Sequence, residues 1–195
     1  MKRLRLLLFL AFAVTVVSGC GSLRYSETLP EAKDFHPKAI GILPADVSKN
    51  EEARGVIDKI VADDLLKRKW FDKVVSAEEI KQRTAADQGL GKNIEQYLAK
   101  LEALNFSDPE LSQKIGDAFG VDAILIVKVD YWLYTKERDD KVAKAGLDMK
   151  LISTGTGNIQ WKAGHHEARS YTLFKPELTT VARTVAHDML SELPR

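Results

Sequence analysis

The stretch Ala123-Ile124-Leu125-Ile126-Val127 is apolar without interruption and decides the fold. A run of this kind is typical of a central strand that is covered on both faces of its sheet. The pattern then alternates, which indicates that the strand continues with its two faces in different surroundings. Unbroken alternation would place two sets of side chains on opposite faces: Val129, Tyr131 and Leu133 on one, and Lys128, Asp130, Trp132 and Tyr134 on the other.

The residues after this strand predict further strands and a last helix. Residues 136–141 are charged and turn-like, and residues 142–153 again alternate. Thr154-Gly155-Thr156-Gly157 predicts a hairpin turn, in which glycine supplies the positive φ that threonine resists. The chain returns as a strand over residues 158–169, and Pro176 begins an amphipathic helix.

The residues before the strand that begins at Ala123 show both helical and strand patterns. Ala39-Ile40-Gly41-Ile42-Leu43 is a short buried strand, which Pro44 ends. Residues 51–69 have helical spacing, residues 71–75 predict a second strand, and residues 87–93 are interpreted as a loop. We therefore expect a single α/β (α+β) domain with a mixed sheet of about five strands and flanking helices.

The amino terminus has the three parts of a secretory signal. Lys2, Arg3 and Arg5 are basic, and the apolar run over residues 6–17 is too short for a spanning helix. Val17-Ser18-Gly19-Cys20 resembles the lipobox of bacterial lipoproteins, in which the signal is cleaved just before a cysteine that receives lipid. In this sequence the cleavage would follow Gly19 and the lipidated residue would be Cys20. The alternatives are an uncleaved anchor and an ordinary secretory signal followed by a chance cysteine.

This resemblance divides the chain into three parts. Residues 1–19 are expected to be the signal peptide, residues 20–37 the lipidated Cys20 with a flexible tether, and residues 38–195 a periplasmic domain. The lipoprotein resemblance implies a diacylglyceryl group on the Cys20 sulfur, and anchoring by more than one acyl chain is stable. Residue 21 is glycine rather than aspartate, and by the resemblance to lipoproteins with enterobacterial-type sorting this favours the outer membrane over the inner one.

Composition excludes several classes of function. The chain has 29 basic and 28 acidic residues, and without the three basic residues of the signal the balance is 26 against 28. Nucleic-acid binding needs a basic stripe, which this balance does not supply, so no nucleic-acid partner is expected. Cys20 is the only cysteine. Once it carries lipid, no thiol remains for a disulfide, a thiolate metal site or a nucleophile, and no cofactor is expected beyond the lipid.

Three segments carry a wider resemblance. They are Ile40-Gly41-Ile42-Leu43-Pro44 with the later Trp70-Phe71-Asp72-Lys73-Val74-Val75, then residues 115–125, and then residues 147–161, which end at Trp161. In this order they resemble a group of envelope lipoproteins and periplasmic domains. The group includes the curli-secretion-channel lipoprotein, the TolB amino-terminal domain and the lipoprotein activator of a penicillin-binding protein.

The resemblance implies protein binding and assembly without catalysis. Members of the group bind proteins, form rings or regulate envelope machines. The loops at residues 135–141 and 154–157 are too short to form the long membrane hairpins of the curli channel, so no pore is expected. Cys20 is the one residue of this sequence to which the resemblance assigns a functional role.

Candidate chemistry in the sequence is sparse. His165-His166-Glu167 is the one cluster that resembles part of a metal site, but a catalytic zinc usually has three protein ligands, and His36 and His187 are remote in sequence. No Gly-x-Ser-x-Gly elbow of a hydrolase occurs. We therefore expect no catalytic residues and no metal site.

Trp132, Tyr134 and Lys128 are the candidate partner-binding residues. Exposed aromatic side chains on a polar sheet face are typical of protein interfaces. The alternative is that a helix covers them.

The sequence thus predicts an outer-membrane-anchored periplasmic lipoprotein that acts as a non-catalytic adaptor or assembly component of a cell-envelope machine for secretion, transport or wall synthesis. Its expected partners are the membrane, envelope proteins and further copies of itself. A small-molecule or lipid-binding lipoprotein and an unrecognised hydrolase are the alternatives.

Overall fold

The computed structural model describes residues 23–194, and the predicted signal peptide, Gly19 and Cys20 lie outside this range. The described elements, in chain order, are β1 (Tyr25–Thr28), a 3-10 helix (Pro30–Asp34), β2 (Ala39–Ile42), a 3-10 helix (Glu51–Ala53), α1 (Val56–Arg68), β3 (Lys73–Val75), α2 (Ala77–Ala86), α3 (Gln88–Leu104), α4 (Pro109–Phe119), β4 (Ala123–Glu137), β5 (Asp140–Ser153), β6 (Ile159–Tyr171) and α5 (Leu178–Ser191).

The strands form one mixed sheet in the order β1-β6-β5-β4-β2-β3. β2 is parallel to both β3 and β4, because helical crossovers connect them, whereas β4, β5, β6 and β1 are antiparallel. The predicted single domain with a mixed sheet and flanking helices is confirmed. The described sheet has six strands, and the one that the sequence did not predict is β1.

Helices cover the two faces of the sheet unequally. On the first face, α5 packs on β5, β6 and α1, and the apolar cluster there includes Leu125, Met149 and Trp161. On the second face, α2, α3 and α4 cover β2, β3 and the ends of the long strands, around Tyr97 and Ile124. The second face of β4, β5 and β6 is left without a helix towards the β4–β5 hairpin, within residues 23–194.

The prediction of a flexible tether over residues 20–37 is wrong for its described part. Tyr25–Thr28 pairs with β6, and the Leu29 amide donates to the Gln160 carbonyl at 3.0 Å. The physical reason is the edge of β6, whose backbone groups would otherwise lack partners and offer a template for another strand. Leu23 also packs against the first apolar cluster.

The predicted loop over residues 87–93 is also wrong, because α3 begins at Gln88. The Asp87 side chain accepts from the amides of Gly89 and Leu90 at 2.9 and 3.0 Å. This cap satisfies two of the free amide donors of the first turn and so lets the helix begin despite Gly89.

A β-bulge at Asp130 overturns the predicted unbroken alternation along β4. Val129 pairs with Leu147 and Tyr131 with Gly146, so Asp130 has no partner residue on β5. One additional residue exchanges the two faces of the strand beyond it. Trp132 consequently lies in the first apolar cluster, 9% exposed, while Leu133 lies on the second face, 37% exposed.

Trp132→Ala and Leu133→Ala should therefore differ strongly in stability. Trp132→Ala leaves a cavity in the core and should lower the free energy of unfolding by about 3–5 kcal/mol. Leu133→Ala should cost less than about 1 kcal/mol, because the leucine is already partly in water. Urea denaturation of both variants is the measurement, and equal losses or a reversed order would contradict the bulge.

Candidate functional site

The uncovered part of the second sheet face is the candidate functional site, and we call it the open face. Its side chains come from four adjacent strands and are half-buried or exposed. They are Tyr25 of β1, Lys128, Tyr131 and Leu133 of β4, Lys144 and Asp148 of β5, and His166 of β6.

Gly146 lets two aromatic side chains meet across the centre of the open face. Tyr131, Gly146 and His166 are paired residues on three neighbouring strands. A Cβ on Gly146 would lie 2.6 Å from Cδ2 of Tyr131 and 2.9 Å from Cβ of His166. Without it, the two rings meet edge to face with their centroids 5.5 Å apart.

Gly164, like Gly146, leaves space for an aromatic ring between its neighbouring strands. It pairs with Asp148 on one side and Tyr25 on the other, and the Tyr25 ring lies where a side chain on Gly164 would be. The Tyr25 hydroxyl donates to the Asp148 carboxylate. Burial and this hydrogen bond to an anion raise the pKa of Tyr25 well above its ordinary value. Tyr25 is therefore a neutral donor that fixes β1 to β5 across β6.

Two further groups on and beside the open face are electrostatically perturbed. Burial, followed by the nearby Asp148, raises the pKa of Asp130. Burial, followed by the cations Lys144 and Arg24, lowers the pKa of His166. The Nδ1 atom of His166 is buried without a hydrogen-bond partner among the described residues. Burial thus favours the neutral form of both side chains.

Lys144 is held at one end of this surface. Its Nζ atom lies 2.7 Å from the Glu137 carboxylate and 4.6 Å from the centroid of the Tyr131 ring. The cation thus covers the aromatic ring while its charge is balanced.

A groove continues the open face towards α3. Its volume is about 340 Å³, and Lys128, Asp148 and Lys150 form part of its wall. Its apolar lining comes from both sides, and the residues are Pro44, Leu98, Leu101 and Ile126. Small apolar ligands bind in sites of this size and composition.

The structure separates the three predicted partner-binding residues. Lys128 is on the open face, 3.6 Å from Asp46 and 3.8 Å from Glu102. Trp132 is in the core on the other face, where the cluster includes α5, so the alternative of a covering helix holds for it. Tyr134 shares the face of Trp132, but it is partly exposed at the hairpin end, and its hydroxyl donates to the Pro176 carbonyl at 2.9 Å.

His165, His166 and Glu167 do not converge. His166 belongs to the open face, whereas Glu167 pairs with Arg169 at 2.8 Å, and Arg169 also contacts Thr184 of α5 on the first face. Within residues 23–194 no three His, Cys, Asp or Glu side chains form a cluster that would hold a metal ion. The same range contains no helix with the length and hydropathy of a membrane span.

Sequence reasoning missed Tyr25, Asp148 and His166 as members of one surface. The available signal was the pair Gly146 and Gly164, each alone inside a strand pattern. An isolated glycine in a strand often marks a bulge or a close approach. It does not say which ring occupies the space.

The fold is similar to that of known proteins, although the sequence is not. The chain matches no protein-family model, and no curated protein sequence is significantly similar to it. A PelC dodecamer from Paraburkholderia phytofirmans has a similar structure, with a TM-score of 0.54 and 16% identity over 87% of this chain and 95% of that chain. Lipoprotein GNA1162 from Neisseria meningitidis follows with a TM-score of 0.49 and 15% identity over 80% of this chain and 99% of that chain.

The lowered pKa of His166 predicts a pH-dependent stability. The unfolded state binds this proton more readily than the folded state, so His166 should make stability fall as the pH drops through about 6.5. His166→Gln should reduce the difference between urea midpoints at pH 7.5 and pH 5.5. An unchanged pH difference in His166→Gln would contradict the assignment.

Proposed function

We propose that this protein is a non-catalytic lipoprotein of the bacterial envelope, anchored in the outer membrane through Cys20 and facing the periplasm. It acts as an adaptor or assembly component of an envelope machine. Its contacts with other copies of itself or with a partner are made through the open face.

The open face is the observation that carries this proposal. A monomer usually covers such a sheet face with a helix or makes it uniformly polar. Here Tyr131, His166 and Leu133 remain at the surface among charged side chains. Aromatic residues within a rim of paired charges are characteristic of protein interfaces.

Two further observations support the proposal. The fold resembles that of PelC, which forms a dodecamer, and this gives a precedent for assembly of the same architecture. The lipobox-like Val17-Ser18-Gly19-Cys20 provides the anchor. Confinement to a membrane raises the effective concentration of the domain near copies and partners, so that modest contacts suffice.

The groove beside α3 favours a second candidate function, the binding of a small amphipathic molecule. Leu98, Leu101 and Ile126 offer an apolar lining, and Lys128 and Lys150 offer cations at its edge. A bound molecule seen in native mass spectra of the purified protein would favour this function.

Leu133→Arg should weaken self-association if the open face is the interface. Burying the arginine without a partner is costly, so we expect the dissociation constant of the oligomer to rise at least 10-fold. Leu66→Arg is the matched control, because Leu66 is an exposed leucine of α1, a helix on the other side of the sheet. Light scattering after size-exclusion chromatography measures both.

The open face is not a self-association interface if Leu133→Arg associates as the wild type does or if the wild type is monomeric at all concentrations. The anchor is tested separately by Cys20→Ser, which should leave the membrane fraction for the soluble fraction. Retention of Cys20→Ser with the membrane would remove the anchor.

A further inference from the structure

The loop between β6 and α5 presents the most exposed large apolar side chains in the described part of the chain. Leu173 is 88% exposed and Phe174 is 89% exposed. The loop is nevertheless held in place. The Tyr134 hydroxyl donates to the Pro176 carbonyl at 2.9 Å, and Nζ of Lys175 lies 3.3 Å from the centroid of the Tyr134 ring. Adjacent apolar residues that are fixed in water in this way mark a contact surface.

Strand register places the amino-terminal end of the domain at the same end of the sheet. β1 is antiparallel to β6, with Tyr25 opposite Gly164. Residues before Tyr25 therefore run towards the end of β6 at Tyr171, and Tyr171 in turn pairs with Lys141 at the β4–β5 hairpin. The loop carrying Leu173 leaves the sheet at this hairpin end.

The length of the chain then limits how far the anchor lies from the loop. Leu23 packs against the core and lies three residues after Cys20, a separation that spans at most about 11 Å. Leu23 is about 7 Å beyond the level of Gly164, and Tyr171 is about 23 Å beyond it, at about 3.3 Å per strand residue. Even when the chain before Leu23 is fully extended, Cys20 lies at most about 18 Å beyond the level of Gly164, which is short of the level of Tyr171. Leu173 and Phe174 follow Tyr171 at that end and lie close to any surface that Cys20 reaches.

We propose that Leu173 and Phe174 insert into the lipid surface that holds the Cys20 anchor and thereby fix the orientation of the domain. The hairpin tip carries three basic residues, Lys136, Arg138 and Lys141, and three acidic ones, Glu137, Asp139 and Asp140. It therefore offers no net charge for anionic lipid. The contact is apolar, with Lys175 placed to extend its charge towards the headgroups, and it should persist in high salt.

This inference rests on the proposed Cys20 anchor, but it does not depend on the open face as an interface. Cys20 is the only cysteine, so a thiol at position 174 is the single labelling site once Cys20 carries lipid. The lipidated Phe174→Cys protein, carrying a nitroxide label, is reconstituted on vesicles of phosphatidylethanolamine and phosphatidylglycerol. Accessibility of the label to oxygen, which concentrates in lipid, is compared with accessibility to a water-soluble nickel chelate.

Leu104→Cys is the matched control. Leu104 is a 69% exposed leucine at the end of α3, next to Asn105, whose side chain accepts from Nζ of Lys150 at 2.9 Å. Lys150 lies about 30 Å along β5 from the hairpin. We expect the ratio of oxygen to nickel accessibility to rise several-fold on vesicles at position 174, in low and high salt, and to stay unchanged at position 104.

Each other result overturns the inference in a recognisable way. A water-like ratio at position 174 in vesicle-bound protein would remove the insertion and leave the anchor intact. Protection from both reagents with magnetic broadening between labels would make the loop a contact between copies. If neither labelled protein binds vesicles, the anchor fails and the inference fails with it.

Discussion

The pairing of β1 with β6 is the constraint on which the rest of the account depends. Four residues, Tyr25–Thr28, turn the start of the domain from a spacer into an edge strand. Side chains strengthen the backbone pairing. Nε1 of Trp161 donates to Oγ of Ser26 at 3.0 Å, and Lys162 pairs with Glu27 at 2.8 Å. A buried indole thereby obtains its hydrogen-bond partner from β1, so that removing the strand would leave a polar atom unsatisfied in the core.

The same pairing connects the proposed anchor at Cys20 with both proposed surfaces. Tyr25 lies over Gly164 and completes the open face through Asp148, while the direction of β1 sends the preceding residues to the hairpin end. With the proposed anchor at Cys20, a short, docked connection would leave the domain few orientations relative to the bilayer. Copies held in similar orientations on one membrane would then present their open faces at similar heights, which would favour lateral association.

The sequence predicted the elements whose patterns are long and local. The uninterrupted run at residues 123–127 and the turn at residues 154–157 were sufficient for the central strand and its hairpin partners. Asp130 shows where this reasoning ends, because a bulge depends on the pairing of two strands and leaves no mark in an alternating sequence. β1 was not predicted for the same reason, since Tyr25–Thr28 has no apolar pattern and becomes a strand by pairing with the edge of β6. The missed bulge and the missed β1 both affected the prediction of the candidate site. Trp132 was assigned to the surface on which Tyr25 and His166 in fact lie.

Hydrogen exchange of the lipidated protein on vesicles tests the central claim most directly. In an antiparallel pair, alternate amides of Tyr25–Thr28 donate to β6 and should exchange slowly, as should the amides of β6 that face them. The peptide covering residues 23–29 should be protected far more strongly than an unstructured chain. Exchange of this peptide at the rate of an unstructured chain, with β6 still protected through its pairing with β5, would show that the segment is a free tether and would contradict the account.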